Sequence, residues 1–169
     1  ASEMDCAGVY MLDEATGILN LAYAEGVSKD YQRAAAVFTG DSEQSRTVRM
    51  GKPFFSHIKE FSRSSDDPAH KEGLRALAVL PIHNEDSVIG SLNVASHDRD
   101  TIPEETRQSL EAIAIQISAA LAKAKSEAAM KESEKRFRQI AENIKECFWI
   151  ATVDGGQLIY ASPSYETIW

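Results

Sequence analysis

Two apolar stretches, RALAVLPIH at residues 75–83 and SVIGSLNVA at residues 87–95, decide the fold of this chain of 169 residues. In both, apolar residues occupy neighbouring positions instead of alternating with polar ones, which is typical of strands covered on both faces. Asn84-Glu85-Asp86 lies between them and favours a tight turn. We therefore predict two adjacent strands at the centre of a sheet.

Weaker signals precede these strands. Residues 7–12 and 18–24 flank a turn-forming segment and predict a hairpin. Ser28 is a suitable N-cap for a helix from Lys29 to about Phe38, and a second helix is predicted from Ser42 to Met50. Residues 53–58 predict a short strand, and the polar residues 62–68 predict a loop.

One long helix is predicted after the strands, because residues 104–146 contain neither glycine nor proline. Such a helix would be about 60 Å long, which is typical of a coiled coil or a signal-transmitting rod. Its apolar stripe predicts the seam of a parallel homodimer, formed by Leu110, Ile113, Ile117 and Leu121. The stripe thins over residues 125–136, which we interpret as a helical linker.

The end of the chain begins a second fold. Residues 148–153 and 157–161 predict two strands around Asp154-Gly155-Gly156, and a further helix is predicted after Ser162. A lone hairpin is only marginally stable in water, so we interpret this unit as incomplete.

The composition excludes several functions. A net charge of −8 disfavours binding to nucleic acid phosphates. No apolar run is long enough to cross a membrane and no leader peptide is visible, so we expect a cytoplasmic location without membrane contact. The two cysteines, Cys6 and Cys147, are far apart in sequence, so we expect neither a disulfide scaffold nor a metal site.

The order of these elements resembles the GAF domain family. The resemblance rests on residues 7–13, 26, 51–53, 73–82 and 88–94. It implies an α+β fold over residues 1–124, with an antiparallel sheet of about five strands flanked by helices and a long C-terminal helix. GAF domains open with a helix that packs beside the last one. Only six residues precede the first predicted strand here, so we expect that helix to be missing.

Residues 132–138 and 154–165 resemble the start of a PAS domain. Residues 137–169 would then be a truncated PAS-like domain. The order GAF, helix and PAS resembles that of sensor histidine kinases in two-component systems. It implies a sensory input fragment whose kinase core lies elsewhere.

The GAF resemblance also implies a ligand pocket between the sheet and the helices on one face. Residues that would line it are Phe38, Phe54, Phe55, His57 and His70. Strand periodicity does not decide which of the two adjacent phenylalanines faces inward. The alternative is that these side chains fill a closed core, and that the domain only dimerises and transmits signals.

Ligand classes of the family differ in the residues they require. Ala69 occupies the position of the cysteine that forms the thioether in bilin-binding relatives, which argues against a covalent bilin. The cyclic-nucleotide signature is absent apart from Glu104 and Glu105. Haem binding remains an alternative, because His57, His70, Cys6 or Met50 could supply an axial ligand. The sequence therefore leaves the cofactor unknown.

Enzymatic activity is not expected from the sequence. GAF-like methionine sulfoxide reductases use clustered cysteines, whereas this domain carries Cys6 alone. Ser56 and His57 are neighbours on a strand and would point to opposite faces, so they form no nucleophile–base pair. We predict no catalytic residues.

Overall fold

A computed structural model describes residues 4–61, 64, 66–84, 87–143, 149–153 and 157–161. The chain divides into two compact units, Ala1–Ala122 and Lys123–Trp169. Several predicted features lie outside the described residues. They are parts of the loop at residues 62–68, the turns at residues 85–86 and 154–156, the last residues of the long helix and the helix after Ser162.

The first unit contains a six-stranded antiparallel sheet. Its strands are β1 Cys6–Leu12, β2 Leu19–Glu25, β3 Val37–Phe38, β4 Phe54–His57, β5 Ala76–Asn84 and β6 Ser87–Ser96. They are arranged in the order β3-β2-β1-β6-β5-β4. The predicted α+β class is confirmed, and the two apolar stretches form neighbouring inner strands β5 and β6.

The helices of this unit are α1 Lys29–Ala34, α2 Glu43–Arg49, α3 Ile58–Phe61, α4 Pro68–Glu72 and the beginning of α5 Glu104–Asn143. The side chains of Ser28 and Ser42 accept hydrogen bonds from backbone N–H groups in the first turns of α1 and α2, as N-caps do.

The first helix is shorter than predicted. It ends at Ala34, whereas the sequence suggested an extension to about Phe38. Val37 and Phe38 instead pair with β2, and the Leu21 N–H donates to the Ala36 carbonyl at 2.8 Å. Valine and phenylalanine favour strands, and the free edge of β2 offers them backbone partners. This pairing adds a sixth strand to the five expected.

Each face of the sheet carries its own apolar core. Helices α1 to α4 cover one face, where Tyr10, Leu19 and Val79 pack with Val48 and Phe61. Helix α5 covers the other face, with Leu110 and Ala114 packed against side chains that include Leu80, Leu92 and Val94. Two-sided coverage explains why β5 and β6 are apolar at successive positions.

Register assigns the two adjacent phenylalanines to different cores. Phe54 pairs with Val79 and Phe55 with Ala78, and cross-strand partners share a face. The Phe54 ring packs 5.4 Å from the Phe61 ring, centroid to centroid. The Phe55 ring lies under α5, with the Arg107 guanidinium carbon 5.1 Å from its centroid.

The predicted stripe of α5 is divided between core and surface. Leu110 is buried and Ile117 packs partly against the core beneath α5. Ile113 and Leu121 remain 45% and 40% exposed. The domain's own sheet therefore buries half of the residues that were expected to form a dimer seam.

The second unit contains the rest of α5 and a two-stranded hairpin of β7 Trp149–Ala151 and β8 Leu158–Ala161. Phe137 and Tyr160 make an edge-to-face contact with ring centroids 5.3 Å apart. Along the described residues, no helix combines the length and apolarity that crossing a bilayer requires.

Candidate functional site

A cavity lies between the sheet and the helices α1 to α4. Its floor is formed by side chains of the strands, and its roof by side chains of the helices and of the segment around α4. The lining residues are Tyr10, Leu19, Tyr31, Phe38, Gln44, Val48, Ile58, Phe61, Asp67, Pro68, Ala69, Leu74, Leu77, Val79 and Asn93. A second cavity under α1 shares Tyr10, Tyr31, Leu74, Leu77 and Asn93 with the first.

Polar groups in this space are few, and Asp67 is the one acidic residue among the described lining residues. The Tyr10 hydroxyl donates to the Ala35 carbonyl at 3.0 Å. Burial raises the pKa of the Tyr31 hydroxyl to about 12, with a further contribution from the Asp67 carboxylate, so Tyr31 stays protonated at neutral pH. These hydroxyls can orient a ligand without carrying charge.

Two buried side-chain oxygens on the cavity face of β6 lack a hydrogen-bond partner. They are Asn93 Oδ1 and Ser91 Oγ, and no group in the described ranges pairs with them. Asn93 lines both cavities. A buried acceptor left unpaired costs about 1–3 kcal/mol, so a donor reaching Asn93 Oδ1 would be bound favourably.

The size and charge of the cavities restrict a ligand. Their volumes are about 30 Å³ and 40 Å³. Drug-sized pockets span roughly 300–1,000 Å³, so haem does not fit this arrangement of the helices. No Lys, Arg or His occurs among the described lining residues. An anionic ligand such as a nucleotide would therefore lack a counter-charge.

The structure places the predicted pocket residues in different environments. Phe38 lines the first cavity. Phe54 lies behind the cavity wall through its contact with Phe61. Phe55 faces α5 instead, and His57 Nε2 lies 3.0 Å from the Asp100 carboxylate, at the surface. His70 is half-buried on α4 and lines neither described cavity.

The polar lining residues were not identified from the sequence. Asn93 had a usable signal, because it is a lone amide between Leu92 and Val94 in an otherwise apolar strand. Tyr31 and Gln44 lie on short helices whose sequence carries no clear inward face, and only the packing of α1 and α2 brings them to the cavity.

A second cluster joins residues far apart in the chain. Cys6 Sγ lies 3.4 Å from His97 Nδ1, and the Asp5 carboxylate contacts the same ring nitrogen at 2.5 Å. The sequence predicted no metal site, because its two cysteines are far apart in the chain. The pairing of β1 with β6 creates this group.

Comparison with known proteins gives the following matches. A family model described as the GAF domain matches residues 1–122. No curated protein matches the chain. Among solved structures, a domain described as part of a two-component sensor histidine kinase from Sinorhizobium meliloti 1021 is 26% identical, with a TM-score of 0.61. The match covers 77% of this chain and 86% of that one.

Two further structures share the fold at lower identity. The second GAF domain of DevS from Mycobacterium smegmatis is 21% identical, with a TM-score of 0.59 and coverage of 75% of this chain and 86% of that one. A type II free methionine-R-sulfoxide reductase from Thermoplasma acidophilum is 20% identical, with a TM-score of 0.54. Coverage there is 69% of this chain and 78% of that one.

The reductase match corrects one prediction from the sequence. We predicted that the chain is not an enzyme, and that inference was wrong because the same fold occurs in a catalytic protein. Membership of this fold therefore does not exclude catalysis.

Proposed function

Because the matching model covers residues 1–122, this chain belongs to the GAF domain family, and we propose that it is the sensory input part of a sensor histidine kinase. In this proposal a small, uncharged or weakly charged molecule binds between the sheet and α1 to α4. Its binding state is passed along α5 to the following module. The similarity of the fold to a domain of a two-component sensor histidine kinase supports such a role.

The observation that carries the proposal is the unpaired Asn93 Oδ1 in an apolar cavity. Apolar walls with a few converging polar groups are typical of small-molecule sites. A ligand with one N–H or O–H donor would satisfy the amide oxygen. An apolar body of the size of a benzene ring requires α1 to α4 to move outward, because the cavities hold about 30 Å³ and 40 Å³. The neutral Tyr31 hydroxyl lies in the same lining and would contribute a second contact.

A matched pair of probes tests this role of Asn93. Phenol and benzene have similar shapes, but only phenol carries a donor. We expect phenol to perturb the NMR signals of cavity residues at lower concentration than benzene does. In Asn93→Leu the preference for phenol should disappear, while benzene binding persists.

Two results would contradict the ligand proposal: no perturbation by either probe, or equal binding of both in the unaltered protein. Native mass spectrometry of gently purified protein provides a search for a resident molecule. The small cavity volumes favour a second candidate function, a dimerisation and transmission module that binds no ligand. The probe and mass spectrometry experiments distinguish this module from a ligand-binding sensor.

Transmission requires α5 to connect two protomers, and we propose a homodimer through its exposed apolar side chains. Ile113 and Leu121 are exposed in the described chain and lie about 80° apart around the helix axis, whereas Leu110 and Ile117 contact the sheet. Exposed isoleucine and leucine on one helix favour association with a second helix.

Light scattering tests the dimer. Ile113→Asp with Leu121→Asp should convert a dimer into a monomer without loss of helix content, and Gln108→Asp, at an exposed position, is the control. A monomer for the unaltered chain would refute this part of the proposal.

The second unit is proposed to begin a PAS domain in the cytoplasm. The packing of Phe137 on Tyr160 supports a helix and hairpin that belong to one folding unit. A free Cys6 thiol is consistent with a reducing compartment. Limited proteolysis of a longer chain carrying the complete domain would test whether protection extends over residues 137–169.

A further inference from the structure

The Asp5, Cys6 and His97 side chains converge at one end of the β1–β6 pair. One oxygen, one sulfur and one nitrogen ligand atom lie within 4.8 Å of one another. Asp5 directly precedes β1, and His97 directly follows β6. The antiparallel pairing of Cys6 with Ala95 therefore brings the two strand ends together. The His97 N–H also donates to Asp5 Oδ1 at 3.1 Å, which fixes the backbone on both sides.

The backbone around this group is specialised. Gly26 has φ 76° and approaches so closely that a Cβ there would lie 2.0 Å from the Asp5 carbonyl oxygen. Gly73 caps α4 with φ 84° and faces the His97 ring. Both positions require a residue without a side chain, and both frame the cluster.

Distances decide what this group can bind. A tetrahedral Zn²⁺ with ordinary bond lengths separates a thiolate sulfur from an imidazole nitrogen by about 3.6 Å, and an imidazole nitrogen from a carboxylate oxygen by about 3.4 Å. Cys6 Sγ and His97 Nδ1 are already 3.4 Å apart. The Asp5 oxygen, at 2.5 Å from Nδ1, would move outward by about 1 Å, which its partly exposed side chain permits.

The far side of the imidazole faces a carboxylate. Glu72 Oε1 lies 4.0 Å from His97 Nε2. The Glu72 carboxylate is itself held by the Ser28 N–H and hydroxyl, both at 2.6 Å. Metal-bound histidines commonly direct their second ring nitrogen to such a carboxylate, which fixes the tautomer and the ring orientation.

We propose that Asp5, Cys6 and His97 form a binding site for a divalent transition ion of the Zn²⁺ class, with Glu72 as the positioning residue. Thiolate, imidazole and carboxylate together match the ligands that Zn²⁺ takes, and a water completes the four-coordinate shell. Binding releases the Cys6 thiol proton to solvent. In the metal-free protein His97 Nδ1 carries the proton that the Asp5 carboxylate accepts. On metal binding this proton moves through solvent to Nε2, which faces Glu72, and Nδ1 coordinates the ion.

Titration of the chelator-treated full chain with Zn²⁺ and Co²⁺ tests the site. We expect one equivalent of Zn²⁺ to bind, and the Co²⁺ form to show thiolate charge-transfer absorption in the near ultraviolet. Cys6→Ser and His97→Gln should each weaken Zn²⁺ binding by at least about 100-fold, as expected for the loss of a direct ligand. Cys147→Ser is the matched control and should leave both signals unchanged.

Glu72→Gln distinguishes positioning from mere folding. Loss of an outer carboxylate typically weakens metal binding by about 10–100-fold. The Co²⁺ visible bands should also shift, while circular dichroism of the metal-free variant stays as in the parent. The proposal is overturned if Cys6→Ser keeps the parent's Zn²⁺ affinity, or if Co²⁺ binds without charge-transfer absorption. Circular dichroism of each variant shows whether the protein is still folded, so that a loss of binding caused by unfolding is recognised.

Discussion

The Tyr10 hydroxyl in β1 donates a hydrogen bond to the Ala35 carbonyl just beyond α1, at 3.0 Å within the core. This bond ties the end of a roof helix to the floor of the cavity. Tyr10→Phe removes the donor and leaves the buried carbonyl without it. We expect a loss of about 0.5–1.5 kcal/mol in the free energy of unfolding, measured by urea denaturation.

Tyr23→Phe is the control for this variant, because the Tyr23 hydroxyl bonds Glu25 at the surface. It should leave the free energy of unfolding within about 0.5 kcal/mol of the parent. Equal effects of the two variants would show that the Tyr10 bond contributes nothing specific to the core.

Gly26 and Gly8 differ in their tolerance of a side chain. Gly26→Ala places a Cβ against the Asp5 backbone at a positive φ, and the conformational strain alone costs about 1–3 kcal/mol. At Gly8 the nearest atom to an added Cβ is 3.6 Å away, an ordinary contact. We expect Gly26→Ala to lower the melting temperature clearly and Gly8→Ala to change it little. A harmless Gly26→Ala would contradict the close approach of β1 and Gly26.

Leu110 and Ile115 lie on the buried and the exposed side of α5, so variants of the two residues compare the contribution of each side to stability. Leu110 is 8% exposed and Ile115 is 70% exposed. Leu110→Ala should cost about 2–5 kcal/mol in the free energy of unfolding. Ile115→Ala should cost less than about 0.5 kcal/mol if the experiment is done on monomer. Chemical denaturation followed by circular dichroism measures both, and similar losses would refute the packing of α5 on the sheet.

Asp100 should make stability depend on pH. Hydrogen bonds from Arg75, and next from His57, hold the pKa of this carboxyl below its ordinary value of 3.8. A carboxyl with a lowered folded-state pKa stabilises the protein above the unfolded-state pKa, and this contribution is lost as the pH falls through the folded-state pKa. Asp100→Asn should therefore lower the melting temperature at neutral pH.

The difference between Asp100→Asn and the parent should shrink below about pH 4. Scanning calorimetry from acid to neutral pH measures this difference directly. Glu14→Gln, in the exposed turn between β1 and β2, is the control. A difference for Asp100→Asn that is the same at every pH would argue against ionic pairing with Arg75.

Local sequence signals were sufficient to predict most of the helices and strands of the first unit. The apolar runs of β5 and β6, the serine caps of α1 and α2 and the glycine-free stretch of α5 each depend on neighbours in sequence. The two-residue strand β3 was not predicted, because it exists only through pairing with β2.

The candidate sites depended on long-range register, which a single sequence does not contain. Alternation separates Phe54 from Phe55, but only the pairing with β5 assigns Phe54 to the cavity side. Cys6 and His97 are 91 positions apart and meet through the register of β1 and β6. The unpaired oxygen of Asn93 is likewise a product of packing, since nothing in the residue type says which partners it will lack.

The lengths of the strands also affect how this protein behaves in concentrated solution. The outer strands, Val37–Phe38 and Phe54–His57, have two and four residues, whereas the inner strands of the sheet have seven to ten. A short outer strand exposes few free backbone N–H and C=O groups on which another molecule's strand can grow. The sheet is thereby protected against edge-to-edge aggregation, even though its inner strands are long and rich in apolar residues.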